Sequence, residues 1–141
     1  MTDRSEEVLV PGWPTPRGYA NGRLTRGRVL YVGGQIGWTL DDSGQAFVFR
    51  VHDLVGQFAQ TLDNVLAVVN AAGGTPESIA SMTVYVTDIP AYRAAQKALG
   101  AVWRPRLGRH FPAMALVGVT ELVEPEAKVE IQATAYLGAR P

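Results

Sequence analysis

Two side chains in this chain stand where chemistry could be done. Glu130 lies within the run Ala127-Lys128-Val129-Glu130-Ile131-Gln132-Ala133, and Met114 within Phe111-Pro112-Ala113-Met114-Ala115-Leu116-Val117-Gly118-Val119. A carboxylate set among small and apolar residues is paired, protonated or chemically useful, because burying it alone as a charge is costly. A thioether in the companion run supplies a soft, adaptable wall. Both runs read as strands, and as neighbours. The stretch Arg104-Pro105-Arg106-Leu107-Gly108-Arg109-His110 is a basic loop, either solvated or lining a cleft for an anionic substrate, with Arg106 and His110 as its candidates. Gly33-Gly34 marks either a bulge or a place where a ligand or backbone comes close.

Other chemistries lack their residues. There is no cysteine, which removes disulfides, thiolate zinc and thiol nucleophiles. His52 and His110 are far apart without a carboxylate cluster, which argues against a metal site, and no serine sits in a nucleophile elbow. Phosphate-loop, dinucleotide, zinc-protease and EF-hand patterns are absent, so no cofactor is expected.

The elements that would position these residues follow from periodicity. Leu54, Phe58, Leu62, Val65, Leu66 and Val69 form one apolar stripe of a helix over roughly residues 53–72, with Asp53 as its cap and Gly73-Gly74 as its stop. Gln57, Gln60, Asp63, Asn64 and Asn70 fall largely off that stripe. Ser81–Thr87 alternates as a strand, and Asp88-Ile89-Pro90 opens a second helix running to about Trp103. Arg28–Val32 reads as a strand stopping at Gly33-Gly34, and Asn21-Gly22 as a hairpin turn. The order strands, helix, strand, helix, strands predicts an α+β layer with both helices on one sheet face. The opposite face is too apolar to stay wet in a monomer, so an oligomer is expected to cover it.

At 141 residues the chain fits one domain, expected to span 17–137 between an arm (1–16) and a tail (138–141). Thirteen basic residues balance thirteen acidic ones, so no global field recruits nucleic acid or an anionic membrane. The polar N-terminus lacks a signal-peptide core, and no run approaches the ~18 apolar residues of a membrane span. A cytoplasmic protein is expected.

Gln60-Thr61-Leu62-Asp63-Asn64-Val65, Ala71-Ala72-Gly73, Thr83–Asp88, Phe111-Pro112-Ala113 and Lys128-Val129-Glu130-Ile131 resemble the RidA/YjgF family, also called L-PSP endoribonuclease-like. Val32-Gly33-Gly34-Gln35-Ile36 is similar to that family's Ser-Gly-Gln-Ile element. The resemblance implies a chorismate-mutase-like α+β fold: a mixed sheet of about six strands, two main helices on one face, and a homotrimeric barrel with clefts between subunits. Deaminase-type members hydrolyse reactive enamines and imines, small-molecule substrates, to keto acids and ammonia. Carried over, Glu130 matches the glutamate that positions water, Tyr19 the cleft tyrosine and Gly34 the family glycine. Gly33 stands where serine is usual, and Gln96 where asparagine is usual.

Met114 occupies the position of the arginine that holds the substrate carboxylate, and Ala115 follows where serine is usual. Two charge-assisted bonds at ~1.5–3 kcal/mol each would be lost, roughly 10²–10⁴-fold in affinity for a small imino acid. The resemblance therefore implies one of two things. The cleft hydrolyses a less acidic, apolar or aromatic enamine or imine, any charge being met by Arg106, Arg109 or His110. Alternatively, it is a non-catalytic small-metabolite site. Neither charge nor residue set supports RNase activity.

Overall fold

Runs that alternate every second residue become strands, and the stripe repeating every three to four becomes a helix across them. The computed structural model describes residues 5–11, 13–15, 17, 22–25 and 27–138. Its elements are β1 (Glu6–Val8), β2 (Gly22–Leu24), β3 (Val29–Ile36), β4 (Thr39–Leu40), β5 (Phe47–Val48), α1 (Leu54–Ala71), a 3₁₀ turn (Pro76–Ser78), β6 (Ile79–Val86), α2 (Ile89–Ala94), α3 (Gln96–Leu107), β7 (Ala113–Gly118) and β8 (Val129–Tyr136). Asn21 lies outside the described residues, and Gly22 opens β2.

The main sheet has the order β3-β8-β6-β7. β8 runs antiparallel to both β3 and β6, while β6 and β7 are parallel, so the sheet is mixed. The Met114 and Glu130 strands, expected to be neighbours, are separated by β6. The reason is the connection: α2 and α3 form a crossover from β6 to β7, which lays the two strands parallel and side by side. The chain from 119 to 128 then carries β8 back across to the other side of β6.

Alternation decides the faces. On β8, Val129, Ile131, Ala133 and Ala135 are buried, and on β6 so are Met82, Val84 and Val86. They pack with Phe58, Leu62, Val65 and Val69 of α1 and with Leu99 and Trp103 of α3. Both main helices thus cover one sheet face, as the pattern predicts. Glu130, Gln132, Thr134 and, on β6, Ser81, Thr83 and Tyr85 belong to the other face.

Local chemistry sets the ends of the helices. The Asp53 carboxylate accepts from the Gly56 N–H at 3.0 Å, and Asp88 from the Ala91 N–H at 3.0 Å. Past α1, Gly73 takes φ of 88°, the left-handed geometry that only glycine adopts freely. The second helix breaks at Ala95 and continues through Pro105 to Leu107, so half of the expected basic loop is helical. Leu107 is buried, Arg104 and Arg106 suit the negative end of the helix, and Arg106 donates to the Val102 carbonyl at 3.0 Å. These contacts offset the hydrogen bond that Pro105 cannot make.

β3 does not stop at Gly33-Gly34. It passes through them with a register shift between Val32 and Gln35, a bulge. Gln57, expected off the buried stripe, is fully buried. Its amide donates to the carbonyls of Val51 (3.2 Å) and Glu126 (2.9 Å) and accepts from the Lys128 N–H at 2.7 Å.

Candidate functional site

The bulge in β3 sets the first half of the site. Glu130 of β8 pairs across to Ile36 of β3 and Tyr85 of β6. Its side chain lies over Gly34: a Cβ added there would sit 2.9 Å from Glu130 Cδ and 3.1 Å from Oε1. A glycine at 34 thus makes room for the carboxylate, whereas a Cβ on Gly33 would meet nothing within 4 Å. The carboxylate is half-buried, and among the described residues it has no hydrogen-bond or ion-pair partner. Lone pairs without protein donors are available to water.

Two amides of α1 hold this half in place. Gln57 ties the helix to Lys128, two residues before Glu130. Asn64 donates to the carbonyls of Ile36 and Trp38, each at 2.8 Å, and so secures the end of β3 beyond the bulge. Gly37 permits this closeness, since a Cβ there would lie 2.7 Å from Gln57 Cβ.

The second half is on the other side of the sheet. Met114 is in register with the buried Met82, so it turns toward the helices and packs against the core. It lines a hollow of about 370 Å³ with Gln96, Tyr92, Trp103, Phe111 and Arg17. The rings of Trp103 and Phe111 stack with centroids 5.8 Å apart at 6°. Burial pushes the Tyr92 hydroxyl above its ordinary pKa of 10.0, so it remains a neutral phenol. Ala115, in register with Thr83, is exposed on the opposite face.

The chain therefore brings Gly34 to Glu130, and Gln96 to Met114, but keeps the two pairs on opposite faces with β6 between their strands. Arg106 and His110 join neither. Arg106 grips Asp63 of α1 through Nε (2.7 Å) and Nη2 (3.2 Å), and His110 Nε2 lies 2.7 Å from the Ile79 carbonyl. Tyr19 lies outside the described residues. Sequence reasoning missed Arg17, Tyr92 and Gln57. No local pattern marks Arg17 as a wall of this hollow, since only the fold carries it there. Among the described residues no group of three His, Cys, Asp or Glu could hold a metal ion, and no helix is long and apolar enough to cross a membrane.

A mixed sheet under two main helices defines an α+β protein, with a hollow of small-molecule size beside Met114 on one face and Glu130 over the glycine bulge on the other. Residues 14–137 match the family model described as endoribonuclease L-PSP. The chain belongs to that family, the RidA/YjgF family. It is 28% identical to a RutC family protein of Pyrococcus horikoshii over 131 residues, 93% of this chain and 97% of that one. Its fold is similar to a conserved Rid family protein from Yersinia pestis, with 29% identity, TM-score 0.76 and coverage of 95% of this chain and 99% of that one. It is also similar to TdcF of E. coli with bound serine, at 25% identity, TM-score 0.66 and coverage of 98% and 97%.

Proposed function

We propose that this chain is a RidA-like hydrolytic deaminase acting on reactive enamines and imines whose bodies are apolar or aromatic. One observation carries the reading: the half-buried carboxylate of Glu130, unpartnered among the described residues, lies over Gly34. Such a carboxylate is a general base for water. Water's oxygen bonds to the imine carbon as Glu130 takes one proton, the C=N electron pair moves to nitrogen, and Glu130 passes that proton to the nitrogen. Glu130 then takes the carbinolamine's hydroxyl proton and delivers it to the nitrogen as the C–N bond breaks, so that the C–O becomes a carbonyl and ammonia leaves. Water enters, ammonia and a carbonyl compound leave, and Glu130 ends in its starting form.

The reading includes a homotrimer in which Glu130 and Gly34 of one protomer face the Met114–Gln96 hollow of another. The separation of the two halves within one chain supports it. So does the sheet face turned from the helices, where Tyr31 is 79% exposed and Val117 42%. A cytoplasmic setting without cofactor, membrane or nucleic-acid partner belongs to the same reading, and the balanced charge offers RNA no field.

A second reading rests on Met114 itself. Without a guanidinium at that position the cleft could bind a metabolite and release it unchanged, as a trimer without turnover. The structural relative holding serine is consistent with small-molecule binding in the family.

The test is ammonia release from aromatic imines generated in place by an amino-acid oxidase. The expected result is acceleration by the wild type and a loss of roughly 10²–10⁴-fold in Glu130→Gln, with the melting temperature unchanged. Silence across a broad imine panel, with small metabolites raising the melting temperature, would establish the binding reading instead.

A further inference from the structure

The hollow beside Met114 is walled mainly by apolar and aromatic side chains, with polar groups at its edge. Phe58 and Leu99 form its floor, Tyr92, Trp103 and Phe111 supply aromatic rings, and Met114 closes the β7 side. Two polar side chains join this lining: Gln96 and Arg17. Neither has a hydrogen-bond or ion-pair partner among the described residues. Both are exposed at the rim of the hollow, where a guanidinium beside apolar walls attracts an anion more strongly than one fully surrounded by water. Arg106 is committed to Asp63, and Arg104 and Arg109 line a separate hollow with Glu77.

The geometry points to Arg17 as the anion anchor of this hollow, which takes a small molecule with an aromatic or branched apolar body and one carboxylate. The body lies against Trp103, Phe111 and Met114, and the carboxylate meets Arg17, with the Gln96 amide as a second donor. Met114 then is a wall for the body rather than a gap where a charge is missing. The inference rests on the deaminase reading only for the identity of the hollow, and it narrows the substrate to aromatic or branched imino acids.

The experiment is calorimetric titration of the full chain with phenylacetate and with phenylacetamide, which has the same body without the charge. Phenylacetate is expected to bind at least roughly tenfold tighter, the increment of one good charge-assisted pair. Arg17→Gln is expected to bring the two ligands level, Arg17→Lys to keep part of the difference, and Arg106→Gln to leave it intact. Glu130→Gln is expected to keep the Arg17-dependent preference for phenylacetate over phenylacetamide while losing turnover, which separates this inference from the turnover reading. Equal affinity of the two ligands for the wild type would overturn the anchor, as would a preference that survives in Arg17→Gln. An Arg17-dependent preference in a protein that hydrolyses no imine would leave the anchor standing and remove the deaminase.

Discussion

Glu130 and Met114 sit on two faces of one sheet, in surroundings built by opposite means. Around Glu130 the protein uses polar groups: the buried Gln57 and the half-buried Asn64 pin α1 to the ends of β8 and β3, and a glycine is kept clear beneath the carboxylate. Around Met114 it uses apolar bulk, with stacked rings at the back and, at Gln96 and Arg17, polar side chains without a partner among the described residues. A group that must order water needs fixed geometry and free lone pairs. A hollow that selects by shape needs area, and tolerates small shifts. Under the proposed function, the two surroundings can be altered separately.

The sharpest way to break the first half is at its support. Gln57→Leu would leave the Lys128 N–H and the Val51 and Glu126 carbonyls unsatisfied. A loss of about 3 kcal/mol is expected, roughly 6–12 °C in melting temperature, measured by thermal and urea unfolding. Gly34→Ala acts on the carboxylate alone. The new methyl would stand 2.9 Å from Cδ of a flexible side chain, which can swing aside. Stability is therefore expected to hold within about 1 kcal/mol, while imine hydrolysis falls ~10–100-fold. Equal losses in both would mean that Glu130 is structural.

On the other face, Met114→Arg is expected to raise activity on small iminopyruvate-type acids by roughly tenfold or more, and to lower it on aromatic imines. No gain on the small acids would mean that the hollow has been rebuilt beyond one residue. The smallest effect concerns Tyr92. Burial holds its proton more tightly in the folded chain than in the unfolded one, whose phenol titrates near 10.0. The stabilisation is thus complete below that pH and is lost as pH rises through the raised folded value. Tyr92→Phe should flatten the alkaline end of the stability curve and leave neutral pH unchanged.

Much of the fold was legible because its signals are local. The stripe of α1, the caps at Asp53 and Asp88 and the alternation of β6 each depend on residues a few positions apart. Arg104–Leu107, expected as loop, is helical because Leu107 is buried, which no local signal states. Gln57 misled in the same way, since an amide reads as surface until the carbonyls of Val51 and Glu126 are seen to meet it. Of the site, Glu130 with Gly34 and Met114 with Gln96 were all singled out from the sequence, but Arg17 was not. Nothing near it in the chain shares its purpose.

By itself the sequence determined which residues form strands and helices, which side of each faces the core, and membership of the RidA/YjgF family. Periods of two and three to four residues encode the elements and their faces, while family membership rests on motifs such as Gln60–Val65, Phe111-Pro112-Ala113 and Lys128–Ile131. Only the tertiary structure decided that β6 lies between β7 and β8, that Met114 and Glu130 therefore face opposite ways, and that Arg17 reaches the hollow beside Met114. Periodicity states the face a strand turns to the core but not which strand lies beside it. That choice is made by crossovers and buried amides acting across dozens of residues.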